Sequence, residues 1–270
     1  MLKKANKLPK ISIVMPCFNG AEYIEKAIKS IVEQDYPSFD LFIKDGGSED
    51  GTVNIIKQYA KKYPDEISWV SKKDQGQADA INFGIKKVTG EIIAYLNADD
   101  VYKPGAFKIV GGYFSNHPQT NWVIGKCDII DQHDKKIRSW IVAYKNFWMK
   151  FSSYRLLLII NYISQMGVFW KRQAMQKTGF FDENEHYVMD YKYWLSLYKD
   201  SPPGKINQEI ASFRISPSSK SSTGFIKQFD DELRVAGNLT GNKLIIYLHF
   251  FHANMIKIIY SLMQRISFVG

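Results

Sequence analysis

The chain has 270 residues, of which 45% are apolar, so it can bury the core of one large domain or of a domain with an appendage. This composition excludes a disordered chain. Two cysteines, Cys17 and Cys127, are too few for a disulfide framework. The basic, polar segment Met1–Lys10 does not resemble a secretory signal, so we expect a cytoplasmic protein.

The net charge of +9 is unevenly distributed. Nine Lys or Arg residues and no Asp or Glu lie between Lys135 and Phe181, and apolar and aromatic residues are interleaved with them in Tyr144–Phe151 and Arg155–Ile160. Such a region is typical of a segment at an anionic membrane surface, although a solvated basic face remains open. We therefore expect peripheral attachment to the inner face of the cell membrane.

The first part of the chain alternates strand and helix patterns. The predicted strands are Ile11–Met15, Phe39–Lys44, Ile67–Val70 and Glu91–Leu96. The predicted helices are Ala21–Gln34 with Asn19 as its N-cap, one on which Val53, Ile56 and Tyr59 share a face, and Ala78–Val88. This alternation predicts an α/β fold with a mostly parallel sheet and helices on both faces. Ligands bind such sheets beyond the carboxyl ends of the strands, where Phe18, Asp45, Asp74 and Asp99 occur.

The second part has a different pattern. Trp122–Gly125 and Asp128–Ile130 are predicted as strand, His133–Lys136 as a hairpin turn, Ile137–Val142 as the return strand, and helix resumes from Tyr144. Near the end, His249, His252, Asn254 and Lys257 interrupt the apolar run Leu244–Ile259, which therefore falls short of a membrane span. We expect a helix that lies on a surface or packs on a partner, and an ordinary core helix remains open.

Two carboxylates directly follow the fourth predicted strand, in the run Asn97–Asp100. A hard cation such as Mg²⁺ or Mn²⁺ uses one or two carboxylates together with substrate phosphates, so Asp99 and Asp100 are candidate metal ligands. A metal there can bridge a diphosphate and stabilise its charge as a bond to a sugar breaks. A structural or capping role for the pair remains open.

The chain resembles family 2 glycosyltransferases with a GT-A fold from Ile11 to about Ser221. Four ordered motifs carry the resemblance: Ile11–Asn19, Asp45–Thr52, Asp74–Asn82 and Thr89–Asp100. Within the family, the chain is most similar to the bacterial subgroup that builds O-antigen, capsule and exopolysaccharide. The resemblance implies an inverting, metal-dependent transfer of a sugar from a nucleotide-sugar, with UDP as the expected nucleotide.

The resemblance also implies roles for individual residues at the donor site. Pro16 and Phe18 would border the base, Asp45 and Asp74 would hold the nucleoside, and Asp99 would ligate the metal. An aromatic ring can stack on a base, and a carboxylate can accept from an imide or a ribose hydroxyl. The remaining donor-binding candidates are Asn19, Gln77, Asp79, Asn82, Asn97, Gln165, Arg214 and Lys220. Phe18 replaces the usual tyrosine and Gly46 a frequent second aspartate.

On the acceptor side, the run Gly179–Trp194 resembles the segment in which an aspartate begins the acceptor helix, so Asp190 would be the general base. A helix cap or ion-pair role for Asp190 remains open. Lys192 and Ser216 stand where relatives commonly carry Asp and His. Phe213–Ser221 resembles a mobile loop in which Arg214 and Lys220 would neutralise phosphate, with a plain solvated loop as the alternative.

These expectations divide the chain into a glycosyltransferase domain at 1–224, with a nucleotide half at 1–120 and an acceptor half at 121–224, and a helical tail at 225–270. The expected acceptor is a glycan linked to undecaprenyl diphosphate. No nucleic-acid module and no zinc spacing occur in the sequence. The alternative is a catalytically impaired nucleotide-sugar-binding scaffold. A sugar nucleotidyltransferase is disfavoured because its phosphate loop is absent from the first strand.

Overall fold

The fold is built on one eight-stranded sheet with the strand order β3-β2-β1-β4-β7-β6-β8-β5. A computed structural model describes residues 8–216 and 224–267, and the sheet refers to these residues. The strands are β1 (Ile11–Cys17), β2 (Phe39–Asp45), β3 (Ile67–Ser71), β4 (Ile92–Tyr95), β5 (Val101–Tyr102), β6 (Trp122–Ile130), β7 (Val168–Lys171) and β8 (Gly204–Arg214).

Helices follow most of the strands. They are α1 (Ile24–Val32), α2 (Thr52–Lys62), α3 (Gln77–Ile85), α4 (Ala106–Asn116), α5 (Ser139–Lys150), α6 (Tyr154–Ile159), α7 (Arg172–Thr178), α8 (Met189–Asp200), α9 (Phe225–Leu239) and α10 (Lys243–Ser267). A single turn of 3-10 helix, Gln165–Gly167, precedes β7.

The first four strands pair in parallel, with β1 between β2 and β4 and β3 beyond β2. Every residue of β1 is buried, as expected for a strand covered on both faces. Two apolar clusters lie on the two sides of the sheet, one containing Val14 and Ile81, the other Ile13 and Ile28. The predicted α/β GT-A fold is therefore confirmed, and the carboxyl ends of β1, β2, β3 and β4 meet at one edge.

Asn19 does not cap the first helix, contrary to our prediction. Helix α1 begins at Ile24, and its N-cap residue is Tyr23. Asn19 has a φ of 49°, in the left-handed region that asparagine tolerates. Its side-chain oxygen instead accepts a hydrogen bond from the Glu49 backbone N–H at 3.1 Å, which links the loop after β1 to the loop after β2.

The predicted return strand Ile137–Val142 is wrong. After β6 the chain turns around Asp131, whose carboxylate accepts from the N–H groups of His133 and Lys135. A single bridge between Ile130 and Lys136 begins a hairpin. Arg138, with a φ of 51°, then leaves the extended conformation, and helix α5 starts at Ser139.

The C-terminal helices pack on the same core as the sheet. Val235 and Ala236 of α9 and Ile245 of α10 belong to the cluster that contains Val14. By length and composition, the segment 243–261 of α10 could cross a membrane, with a mean hydropathy of 1.2 and 17% of it buried. This result departs from our expectation that the tail falls short of a span.

Candidate active site

The loop after β2 is built around Asp45. Its buried carboxylate accepts hydrogen bonds from the N–H groups of Gly47 and Ser48, both at 3.0 Å, and from the hydroxyls of Ser48 and Ser71. Burial raises the pKa of Asp45, but these hydrogen bonds outweigh it and hold the pKa below the usual value. Asp45 therefore stays ionised and fixes the shape of the loop.

Phe18, Gly46 and Asp74 lie together at the ends of β1, β2 and β3. The Phe18 side chain is 66% exposed. A Cβ atom added to Gly46 would lie 3.0 Å from Asp74 Oδ2 and 3.3 Å from a Phe18 ring carbon, so the missing side chain opens the space between them. Buried Lys44 donates to Asp74 Oδ2 at 3.0 Å and fixes that carboxylate. The exposed Phe18 ring and the Asp74 carboxylate, which Lys44 fixes in place, therefore lie on either side of the gap at Gly46.

Pro16 and Cys17 form the end of β1 beneath this gap. Pro16 is buried and pairs in register with Lys44 of β2. Cys17 is a buried free thiol, and burial raises its pKa to about 12, so it stays protonated at neutral pH. Neither side chain offers a reactive group.

A chain of amides extends from α3 across the end of β4. The Gln77 amide donates to Asn97 Oδ1 at 2.6 Å, and the Asn97 amide donates to Asp100 Oδ2 at 3.2 Å and, more weakly, to Gln165 Oε1 at 3.4 Å. Gln165 in turn donates to the Tyr95 carbonyl at 2.7 Å. The structure thus brings together three predicted donor-site residues, Gln77, Asn97 and Gln165.

Asp99 and Asp100 form a turn held by Arg214. Buried Asp100 accepts from the Arg214 N–H at 2.9 Å, and the Asp99 carbonyl accepts from Arg214 Nε at 2.8 Å. Among the described residues, no side chain donates to the partly exposed Asp99 carboxylate. Burial raises the pKa of both carboxyls, and the Asp99 charge raises that of Asp100 further. Asp99 is the carboxylate left available to a ligand.

Arg214 does not lie in a mobile loop, contrary to our prediction. It ends strand β8 and is fully buried. Besides the Asp99 turn, its guanidinium contacts the Asp131 carbonyl at 2.8 Å and the Asp134 carboxylate at 2.6 Å, and it lies 4.8 Å from the Tyr23 ring centroid. Ser216, just beyond, is buried, and Lys220 lies outside the described residues.

Asp79 and Asn82 of α3 both make structural hydrogen bonds. Asp79 accepts from the Gln75 N–H at 3.0 Å. Asn82 is buried and bonds both ways with the backbone of Phe181, donating at 2.8 Å and accepting at 2.9 Å. Asn82 therefore ties the donor half of the chain to the segment that leads into α8.

A small cleft lies between the start of α3 and that segment. Gln77 and Asp79 line one side, and Glu183, His186 and Met189 line the other. The motif predicted to bind the donor and the motif predicted to carry the base therefore face each other across one cleft.

Asp190 lies in the first turn of α8, directly after Met189. Its carboxylate accepts from the Tyr191 N–H at 2.7 Å. Burial raises the pKa of Asp190 to about 6, the Glu232 charge adds to the rise, and the Tyr191 hydrogen bond and the Lys145 charge oppose it. A carboxylate with a pKa close to neutral is suited to take a proton from a hydroxyl group.

Lys145 and Glu232 were not identified from the sequence. Lys145 of α5 donates to the Ile163 carbonyl at 3.2 Å. Buried Glu232 of α9 accepts from the Asn161 amide at 2.9 Å and the Gln228 amide at 3.1 Å, and burial raises its pKa. The acid-free run around Lys145 pointed to a basic surface, and no local signal marks Glu232 as buried.

Lys192, which departs from the family pattern, is paired in the structure. Its ammonium group lies 2.5 Å from Asp182 Oδ2 and 3.3 Å from Glu185 Oε1. Glu185 also binds Arg234 of α9 at 2.5 Å. Helix α9, which lies in the predicted tail, thus anchors the segment before α8.

The described residues contain no group of three or more His, Cys, Asp or Glu side chains placed to hold a metal ion. A cation at this edge would therefore depend on Asp99, with phosphate and water oxygens as its other ligands.

Comparison of the sequence with known proteins finds glycosyltransferases among its relatives. An uncharacterized glycosyltransferase of Nostoc sp. is 37% identical over 131 residues, which cover 47% of this chain and 39% of that protein. The chain thus spans about two fifths of this relative.

Two solved structures share the fold. The mannosyltransferase PcManGT from Pyrobaculum calidifontis, in complex with GDP-Man and Mn²⁺, has a TM-score of 0.67 at 18% identity over 92% of this chain and 71% of that chain. S. aureus TarS 1-349, in complex with UDP-GlcNAc, has a TM-score of 0.65 at 15% identity over 84% of this chain and 65% of that chain. The glycosyl transferase family 2 profile matches residues 12–178, and the chain therefore belongs to this glycosyltransferase family.

Proposed function

We propose that the chain transfers a sugar from UDP to a hydroxyl group of a glycan acceptor with inversion of configuration. The observation that carries the proposal is the placement of two carboxylates with raised pKa near Tyr95. Burial is the main cause that raises the pKa of the Tyr95 hydroxyl, and the charges of Asp190 and Asp100 both add to the rise, which supports a position of the acceptor-side base and the Asp99–Asp100 turn near this residue.

The nucleotide would lie in the gap between Phe18 and Asp74. The exposed Phe18 ring can stack on the base, and Asp74, fixed by Lys44, can accept from the base or the ribose. The absence of a side chain at Gly46 leaves room there. TarS and PcManGT were solved with nucleotide-sugars, which supports this class of donor. Asp45, Asn19 and Pro16 shape the loops around it.

Asp99 fits a divalent cation. Burial raises the pKa of both adjacent carboxyls although the Arg214 charge opposes it, and a cation would add a direct partner for the Asp99 carboxylate. Asp100 is occupied by the Arg214 N–H and the Asn97 amide, so we assign it a supporting role. A bound Mg²⁺ or Mn²⁺ would neutralise the charge that develops on the leaving diphosphate. Arg214 holds the turn rather than closing over the donor.

The reaction would follow one displacement. Asp190 takes the proton from the acceptor hydroxyl while that oxygen forms a bond to the anomeric carbon. The bond from this carbon to the diphosphate oxygen breaks on the opposite face, and UDP leaves with the electron pair. Gln77, Asn97 and Gln165 would orient the donor sugar at the end of β4.

The acceptor proposed here is an undecaprenyl-diphosphate-linked glycan of a bacterial surface polysaccharide, such as O-antigen or capsule. The acid-free basic region from Lys135 to Phe181 supports an anionic, membrane-bound acceptor, and hence a peripheral cytoplasmic location. We retain 1–224 as the catalytic unit and 225–270 as a helical extension that contributes Glu232 to the acceptor side.

Thermal stabilisation by UDP, GDP and dTDP, each with and without Mn²⁺, tests the donor, because a ligand of the folded state raises apparent stability. We expect the largest shift with UDP and Mn²⁺, and we expect Asp99→Asn to remove the metal-dependent part. Asp35→Asn, at an exposed carboxylate of another surface, is the matched control. Equal shifts with and without metal would contradict the role of Asp99.

Sugar transfer from the stabilising nucleotide-sugar to lipid extracts tests the reaction. Donor binding without transfer to any acceptor would favour a catalytically impaired scaffold.

A further inference from the structure

Helices α5 and α10 lie side by side in opposite directions. The Arg138 guanidinium, at the start of α5, lies 5.9 Å from the Tyr260 ring centroid, late in α10. Further along α5, the Tyr144 hydroxyl lies 2.7 Å from His252 Nε2, and the two rings stack. The two helices therefore form one continuous part of the surface, which we call the α5–α10 face.

Helix α10 carries apolar residues on opposite sides. One side is buried: Ile245 and Ala253 are buried, and a ring nitrogen of buried His249 lies 2.7 Å from the Leu158 carbonyl oxygen. The other side faces solvent and consists of large apolar residues at helical spacing: Leu244, Tyr247, Leu248, Phe250, Phe251, Met255 and Ile258. Tyr247 and Phe251 are 64% and 62% exposed, so this side of the helix presents a large apolar surface to solvent.

Helix α5 adds aromatic rings to this face. Trp140, Phe147 and Phe151 are 47%, 50% and 60% exposed, and their spacing of seven and four residues places them on one side of the helix. Phe147 and Phe151 contact each other, with ring centroids 5.3 Å apart. Aromatic side chains of this kind are typical of the interface between water and lipid.

The charged side chains that α5, α6 and α10 carry are all basic. Helices α5, α6 and α10 contain no Asp or Glu. Lys150, Arg155 and Lys243 are exposed, and no ion pair occupies them among the described residues. Asp230 and Asp231 of α9 are paired with Lys257 and Arg234. The exposed basic residues of these helices would therefore attract a negatively charged surface.

We propose that the α5–α10 face binds an anionic lipid bilayer, with both helices lying in the plane of the interface. An apolar, aromatic face with a basic rim complements a bilayer rather than a soluble partner. Helix α10 cannot cross the bilayer while Ile245, His249 and Ala253 stay packed on the domain. This inference rests on the proposed function only for the claim that the docked enzyme meets a lipid-linked acceptor.

Co-sedimentation of the full chain with vesicles of phosphatidylcholine, with or without phosphatidylglycerol, tests the proposal. We expect binding to the phosphatidylglycerol vesicles that high salt weakens. The double variant Phe147→Glu/Phe251→Glu should lower the partitioning of the protein onto vesicles by at least about tenfold. The reason is that two aromatic side chains no longer transfer from water into the bilayer. Lys150→Glu should lower it about fivefold, and only on anionic vesicles.

Phe180→Glu is the matched control, since this ring is 46% exposed and contacts Lys86 of another surface. Unchanged circular dichroism spectra confirm that the variants fold. Normal binding by the double variant, or no binding by the wild-type chain, would overturn the proposal. Retention in the membrane after an alkaline carbonate wash would overturn the in-plane arrangement in favour of a span. Self-association without vesicles that the double variant abolishes would assign the face to a second copy.

Asp190→Asn separates this inference from the proposed function. It should bind vesicles as the wild-type chain does, whatever its activity, because Asp190 is not on the α5–α10 face. If the wild-type chain binds vesicles but transfers no sugar to any acceptor, the docking face stands and the reaction is refuted. If the wild-type chain transfers sugar but binds no vesicles, the reaction stands and the docking face is refuted.

Discussion

Replacing Asp190 by Asn should make the protein more stable and nearly inactive at the same pH. Burial raises the pKa of this carboxyl from 3.8 to about 6, with Glu232 adding repulsion that Lys145 offsets in part. The folded state therefore binds the Asp190 proton more tightly than the unfolded chain does. The ionised form of Asp190 therefore destabilises the folded protein. We attribute the presence of a carboxylate at this position to its role in proton transfer.

The size of the effect follows from the two pKa values. One pKa unit corresponds to about 1.36 kcal/mol, so the ionised carboxylate lowers the free energy of unfolding by about 3 kcal/mol at neutral pH. Because the folded pKa is the higher one, this loss is absent below about pH 4, grows as the pH rises and is complete above about pH 6. Asparagine has no charge, so Asp190→Asn should recover up to about 3 kcal/mol at neutral pH and almost nothing at about pH 4.

Urea unfolding of both proteins at neutral and acidic pH measures this difference, and a transfer assay should find activity lowered about 100-fold to 10,000-fold. Asp182→Asn is the matched control. Lys192 holds the pKa of Asp182 below its usual value, so the loss of the Asp182 charge in this variant should destabilise the protein at neutral pH. A less stable Asp190→Asn at neutral pH would refute the burial argument, and normal transfer would refute the assignment of the base.

Three other substitutions test separate parts of the structure. Glu232→Gln removes the repulsion that raises the pKa of Asp190, so the acid limb of kcat/KM should move to lower pH, and an unmoved profile would exclude this coupling. Phe18→Ala should weaken UDP binding by calorimetry about fivefold to 150-fold, because stacking of a base is worth about 1–3 kcal/mol, and unchanged affinity would remove Phe18 from the site. Gly84→Ala should lower the free energy of unfolding by about 1–3 kcal/mol, since its methyl group would lie 2.4 Å from a valine of β1. Gly112→Ala, with open space around it, should not destabilise the protein in the same urea titration.

The parallel half of the fold could be predicted because its signals are local. Each buried strand is a short apolar run, and each strand end carries a polar or aromatic residue, so topology alone brings Phe18, Asp45, Asp74 and Asp99 to one edge. The segment after β6 misled the prediction because Ile137–Val142 fits a strand over six residues. The helical spacing of the aromatic residues emerges only over the longer run to Phe151.

The environment of Asp190 could not be predicted because it depends on contacts that are distant in sequence. Glu232 reaches the acceptor side through α9, and a charged residue gives no sign in the sequence that it is buried. Arg214 illustrates the same limit. Its neighbours suggested a phosphate-binding loop, but the pairing of β8 with β6 places it inside the sheet beside Asp99.

Helix α5 connects the two proposals. Its inner side carries Lys145 between buried Ile141 and Met149, and Lys145 acts electrostatically on Asp190. Its outer side, about half a turn away, carries Phe147 and Phe151. In the two proposals, α5 therefore faces the membrane with one side and acts on the proposed base, through Lys145, with the other. A lipid-linked acceptor could then present its hydroxyl to Asp190 while its lipid stays in the bilayer.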